Sequence, residues 1–436
     1  MKNLANYMKR EFISKALDSL SASKNRLILL FTIEGILITL INNLINNNNN
    51  ILVTRMGASD FEVSLVITLP QLVGMLVLIP GGIITDRMTN KRTMVIAALA
   101  GLGLTYGLLG FVPMLPAYQL NTFLALLAIS TGPMTVYMVA WQAFFSDVVD
   151  IETRNSVLTA RTGFTFLIGI IVPLGSGALL AAADTIDHKI FIHQIFFWVA
   201  AAFIFLQILV LKKVQSNHVQ NPSKFRFIDL KTALLELLHN RKFLSFIGVA
   251  LFFYLTWHID WTLYFIGQVE YLGFNEVWLS YTSIGGAIVQ FLTIGFWSKM
   301  NKKRGVRFSI IFGSLGLSLF PLTMILSTNL PVTYSKLTFI LLNSISNFAM
   351  ATTILNIVQC LLQVIPEKNK TLNISIYTVL VTLSNAFMPL IGVSIYTAFG
   401  ADKRALHHVF WIIFFLRIIA ASLWALRYIR FKNEPK

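Results

Sequence analysis

Apolar runs of about twenty residues recur from one end of this chain to the other, each long enough to cross a hydrocarbon core about 30 Å thick. In lipid every backbone N–H and C=O must be satisfied within the chain, which leaves helices or a closed barrel. Barrel strands would be about ten residues long and would alternate in polarity, and these runs do neither. Composition agrees, with 56% of residues hydrophobic and 12% charged, about half the charged share of a soluble globular protein. The pattern predicts an all-α membrane protein with twelve transmembrane helices. They are placed at 27–46, 62–84, 93–113, 121–146, 155–182 and 193–211, then at 243–269, 276–298, 307–327, 337–364, 372–399 and 407–428.

Lys and Arg sort sharply between alternate loops. Of the 35, 28 fall on the side carrying both termini; five (Arg55, Lys189, Lys336, Lys403 and Arg404) fall on the other, and Arg161 and Arg417 lie inside spans. The positive-inside rule makes the first side cytoplasmic, so a multi-pass plasma (inner) membrane protein with both termini in the cytoplasm is expected. The same scatter accounts for the net charge of +16 without nucleic acid, because no single basic patch forms. Cys360, the one cysteine, excludes an internal disulfide and a multi-cysteine metal site, and no cofactor is expected.

Five segments follow: a leader at 1–25, a six-helix bundle at 26–211, a cytoplasmic linker at 212–242 with seven basic residues, a second bundle at 243–428 and a tail at 429–436. The leader lacks the short apolar core of a removable signal peptide, so the first span is expected to stay in the protein. Its Leu4, Met8, Phe12, Ala16 and Leu20 recur at helical spacing among basic residues, which fits an interfacial helix on an anionic leaflet or a frayed tail. The halves repeat weakly at a shift of about 216 residues, as in Met56-Gly57 and Leu272-Gly273, Phe123 and Phe339, Ser130 and Ser346, and Pro173-Leu174 and Pro389-Leu390. A nearly constant shift over several spans points to duplicated six-helix bundles.

Between the second and third spans runs Gly82-Ile83-Ile84-Thr85-Asp86-Arg87-Met88-Thr89-Asn90-Lys91-Arg92. It resembles the signature loop of the major facilitator superfamily, with Thr89 where a second glycine is usual. A degenerate counterpart in the other half starts at Gly295 and ends on Lys302-Lys303-Arg304. The resemblance implies the superfamily's fold of two pseudo-symmetric six-helix bundles. It also implies a monomeric secondary active transporter that moves a small solute by alternating access, with protons as the expected coupling ion and lipid as its surroundings. It further implies a cytoplasmic gate in which Gly82 permits close helix packing and Asp86 sits at the positive N-terminal end of a helix beginning near Thr371, beside Arg87, Lys91 and Arg92. Such a contact is worth about 0.3 to 1 kcal/mol, enough to bias an equilibrium without locking it. Asp147 and Arg154 resemble a second gate element after the fourth span, and an ordinary solvated ion pair is the alternative there.

An ionised side chain at the centre of a span costs about 2.5 to 3.5 kcal/mol and needs a partner, a proton or a function. Glu34 and Arg161 enter their spans from the same side and both lie about 9 to 12 Å deep at 1.5 Å per residue, which makes them candidates for a buried pair. Glu34 would take up and release a proton as the cavity alternates, or the pair would be permanent structural glue. The seventh span carries Trp257-His258-Ile259-Asp260-Trp261; His258 and Asp260 are about 200° apart on a helix, so they share a site only if the helix breaks there. Trp261 and Asp260 read as a cavity wall or as an interfacial aromatic belt. Arg417, in the last span, reads as structural. Asn42 in the first span and Tyr137 and Trp141 in the fourth complete the candidate cavity, and the run Asn46 to Asn50 is expected only to end the first helix.

Substrate and direction stay open between uptake of sugar or another small solute and efflux of a drug or metabolite. The fourth span lacks the Arg usual in drug exporters, and Gly169, Pro173, Gly175 and Gly177 match their fifth-span motif only in part. A non-transporting sensor on the same scaffold and a membrane enzyme are the rivals. For the latter no HExxH, GxSxG or phosphate-loop pattern is present.

Overall fold

The computed structural model describes residues 23–46, 48–215, 239–364 and 370–431, so most of the leader, of the linker and of the tail lies outside it. Among the described residues eleven helices are long and apolar enough to cross a membrane. The 33-residue helix Val332–Val364 stands between the ninth and eleventh of the predicted spans and completes twelve.

Polar residues punctuate the starts. Ser59 and Glu62 form a reciprocal capping box ahead of the second span, with the Ser59 N–H donating to Glu62 Oε2 at 2.8 Å. Asn90, Thr185, Asn240, Asn275 and Asp402 each accept a backbone N–H at the start of a later helix. These bonds satisfy amide groups that a helix leaves orphaned in its first turn. The repeat seen in the sequence reappears at two such joints. Gly57 (φ 85°) and Gly273 (φ 61°) both take the left-handed backbone that favours glycine, each two residues before a cap, Ser59 in one half and Asn275 in the other.

Packing repeats as well. The first span packs on the fifth and sixth, the second on the fourth, and the third on the fourth and sixth; six spans later the seventh packs on the eleventh and twelfth, the eighth on the tenth, and the ninth on the tenth and twelfth. Contact between the two sets runs from the second span to the eleventh and from the fifth to the eighth, a swapped pair that a pseudo-twofold axis would generate. One buried apolar cluster draws its core on residues 30–214, and two others on residues 243–424 and 259–413.

Two local expectations need correction. The Asn46 to Asn50 run does not end the first span. The helix Ser23–Ile45 stops, and Asn49–Arg55 resumes it, with Asn48 and Asn49 buried at the joint and Asn48 donating its side-chain amide to Leu44 O at 2.9 Å. The seventh span is not one helix: Arg241–His258 ends at Ile259-Asp260, Trp261–Ile266 follows, and Gly267–Tyr271 is wound as a π-helix. Short π segments insert extra backbone and mark irregular, frequently functional, positions in helices.

Candidate functional site

Glu34 is fully buried, and its carboxylate is saturated from three sides. Tyr137 in the fourth span donates its hydroxyl to Oε1, Gln207 in the sixth donates Nε2 to the same oxygen at 3.0 Å, and Arg161 in the fifth donates Nε to Oε2 at 3.1 Å. Gln207 also donates to the Tyr137 hydroxyl at 3.1 Å. The Arg161 guanidinium lies 4.5 Å above the Trp141 ring, which stacks on Phe145. Depth along the helices thus brought Glu34 and Arg161 together from the sequence alone. Gln207 was missed, although an amide deep in the apolar run that follows Gln194 is the signal that could have found it.

In the other half Asp260 and Arg417 are paired, each nearly withdrawn from solvent with side chains 1% and 6% exposed. Arg417 Nη2 donates to both carboxylate oxygens of Asp260, at 2.7 and 2.8 Å. Nε and Nη1 donate to the carbonyls of Thr256 and Leu317, each at 3.1 Å, and Nη2 also reaches the carbonyl of Trp257 at 3.2 Å. The break in the seventh span frees the carbonyls of Thr256 and Trp257, and Leu317 is the last residue of the helix Val306–Leu317 in the ninth. Despite the break the two residues do not share a site: His258 turns to Ser384 in the eleventh span at 3.1 Å while Asp260 faces Arg417 in the twelfth.

A cavity of about 320 Å³ is lined by Trp257, Asp260, Trp261, Tyr264 and Arg417 together with Ile67 from the second span, so both halves supply its wall. A second, of about 210 Å³, shares Trp261, Tyr264 and Gln268 and reaches Pro173, Ser176 and Ser280 between the fifth and eighth spans. His258 lines neither; it is buried and bound to Ser384. Tyr137 is buried against Glu34, and Asn42 is half-buried with its Oδ1 unpartnered among the described residues.

At the face carrying most of the basic loops, Lys91 meets Asp147 at 2.9 Å, and Arg92 donates to the carbonyls of Lys212 and Val214 at 3.3 and 2.7 Å. The side chains of Asp86, Arg87 and Arg154 lie outside the described residues. A Cβ on Gly82 would meet Val139 at an ordinary 3.8 Å, whereas one on Gly81 would stand 3.1 Å from Val136, so the tight approach is one residue earlier than expected. Toward the opposite face the halves touch. Arg55 pairs with Glu276, Lys189 lies 3.6 Å from the same carboxylate, Ser280 donates to Pro173 O at 2.9 Å and Thr68 to Ala386 O at 2.7 Å.

Two buried charged pairs, a cavity walled by both halves and helix packing that repeats once, six spans on, form an arrangement that admits a solute rather than one that performs chemistry on it. A sequence profile described as the Major Facilitator Superfamily matches residues 27–362 and 278–436. The chain belongs to the major facilitator superfamily. It is a multi-pass membrane transporter and not an enzyme. No curated protein matches its sequence. Among solved structures it is similar to a bacterial homolog of the human lysosomal transporter Spinster in an inward-facing, unoccupied conformation, at 13% identity and TM-score 0.69 over 95% of this chain and 99% of that one. It is also similar to a D-xylose-proton symporter (15%, 0.69, 92% and 97%) and to the POT family transporter PepTSo (12%, 0.70, 95% and 100%).

Proposed function

We propose that this superfamily member is a proton-coupled secondary transporter of a small solute, working by alternating access, with Glu34 as the proton carrier. The observation that carries the reading is the Glu34 cluster: a carboxylate with no contact to solvent whose only cationic partner among the described residues, Arg161, is itself 21% exposed. An ion pair of this kind is costly to break while the carboxylate stays charged. If Arg161 is drawn away, a proton on Glu34 removes that cost. Asp260 and the aromatic wall around it form the second half's side of the solute cavity, with Arg417 holding Asp260 in place, and Glu34 and Arg161 form the first half's side. Two six-helix units, residues 26–211 and 243–428, rock about that cavity.

With the basic face cytoplasmic, as the loop charges favour, contacts at the opposite face make this an inward-open arrangement in the plasma membrane. The loop from Gly82 to Arg92 and the Lys91–Asp147 pair would act when that side closes. The D-xylose-proton symporter among the similar structures makes proton coupling a natural reading for this fold.

The test is a proteoliposome experiment with purified protein and an internal pH dye. A candidate solute added to wild type should carry protons inward, and Glu34→Gln should still exchange labelled solute across the membrane but lose the proton flux. Proton flux of wild-type size in Glu34→Gln would remove Glu34 from the coupling role.

A further inference from the structure

The two buried arginines are satisfied to different degrees. Arg417 spends its Nε and both Nη groups on Asp260 and three backbone carbonyls. Arg161 spends only Nε, on Glu34, and among the described residues Nη1 and Nη2 have no hydrogen-bond partner. Glu34 has no need of them, because Tyr137 and Gln207 already serve its other oxygen.

The guanidinium is nonetheless held in place. Its face rests on Trp141 at 4.5 Å, Nε is tied to Glu34, and its stem runs so close to Gly35 that a Cβ there would stand 2.9 Å from Nε. Arg161 is the eleventh residue of the helix Ile151–Ala181, which places it near mid-depth. A guanidinium facing hydrocarbon at that depth is strongly disfavoured, so its 21% exposed portion must look into the space between the halves. A planar group with two Nη donors fixed along one edge is the form that binds a carboxylate or phosphate through two parallel hydrogen bonds.

We infer that the solute is an organic anion whose carboxylate or phosphate is gripped by the Nη edge of Arg161, with Glu34, Trp141 and Gly35 as positioning residues. This rests on the proposed transport reading and names its substrate class. An anion that engages Arg161 competes with Glu34 for the same positive charge, so the anion and a proton on Glu34 favour each other.

Thermal shift of the purified full-length protein tests the site without requiring transport. The probes are benzoate, succinate and phenyl phosphate, with benzamide and benzyl alcohol as neutral controls; the three anions separate carboxylate, dicarboxylate and phosphate recognition. At least one anion should raise the melting temperature saturably while the neutral compounds do not. Arg161→Gln should weaken that anion about tenfold or more, as expected for losing a charge-assisted pair of hydrogen bonds. Gly35→Ala, which keeps every charge but crowds the arginine, should weaken it in the same direction, and Arg161→Lys should retain part of it. Should Arg161→Gln fail to fold with Glu34 left unpaired, the double variant Glu34→Gln/Arg161→Gln removes both charges and should likewise lose the anion response.

No shift from any of the three anions, an equal shift from benzamide, or an unchanged midpoint without Arg161 would each overturn the inference. Loss of anion binding leaves the proton-flux test of Glu34 standing. Loss of the proton flux leaves this binding test standing.

Discussion

A charge buried among membrane spans survives only while its partners stay within reach, and the two acid–arginine pairs depend on their partners in opposite senses. Without Arg417, Asp260 would be left as a carboxylate among apolar and aromatic side chains; without Asp260, Arg417 would keep three backbone carbonyls. Arg417→Met is therefore expected to cost about 3 to 5 kcal/mol, the range for stranding one member of a buried pair. Asp260→Asn should cost clearly less, and the double variant should recover much of the loss. Melting temperature and the yield of monodisperse protein in detergent measure the order, and equal effects of the two single changes would refute it. The sequence made one pair legible and hid the other. Glu34 and Arg161 enter from the same side and reach similar depths, so simple rise per residue brings them together. Asp260 and Arg417 are 157 positions apart, and their pairing depends on a helix break that hydropathy does not register.

Helices of this length announce themselves in hydropathy, and their starts follow from caps such as Ser59 and Asn275; their interruptions do not, because an apolar window averages over them. The seventh span shows why the break persists. Gly392 in the eleventh span lies directly against the carbonyl of Ile259, so any Cβ there would collide with backbone and not with a side chain that can swing aside. Gly392→Ala is expected to destabilise the protein by about 1 to 3 kcal/mol, as overpacking does. It should also disturb Asp260, the neighbour of Ile259, and so reduce solute binding beyond the loss of stability. Gly175 is the control: a Cβ there meets nothing within 4 Å, and Gly175→Ala should be neutral or stabilising by helix propensity of about 1 kcal/mol. Equal melting temperatures for the two alanine variants would show that the contact at Ile259 carries no weight.

At the scale of the whole molecule, alternation requires that contacts closing one face be strong enough to hold and weak enough to release. At the face opposite the basic loops Glu276, at the start of the eighth span, meets Arg55 from the end of the first and Lys189 from the start of the sixth, so one carboxylate of the second half is clasped by two cations of the first. Gly177 allows this approach, because a Cβ there would stand 2.7 Å from Ser280 Oγ and 3.1 Å from Glu276 O. Glu276 is buried, so its loss should shift the population of closed and open forms by more than an exposed surface pair would. Ser176, buried in the cavity beneath the pair, offers a reporter once changed to cysteine, and native Cys360 is buried deeply enough to give little background. In intact cells a membrane-impermeant maleimide should label Ser176→Cys slowly in an otherwise wild-type chain and about tenfold faster when Glu276→Gln is added, since each 1.4 kcal/mol moved between the two states changes the open fraction about tenfold. Exchanging the charges, with Arg55→Glu and Glu276→Arg together, should bring the rate back toward that of the parent. If labelling is unchanged by Glu276→Gln, the ion pair is a passenger at that face, and the helix contacts around Gly177 and Thr68 hold it shut by themselves.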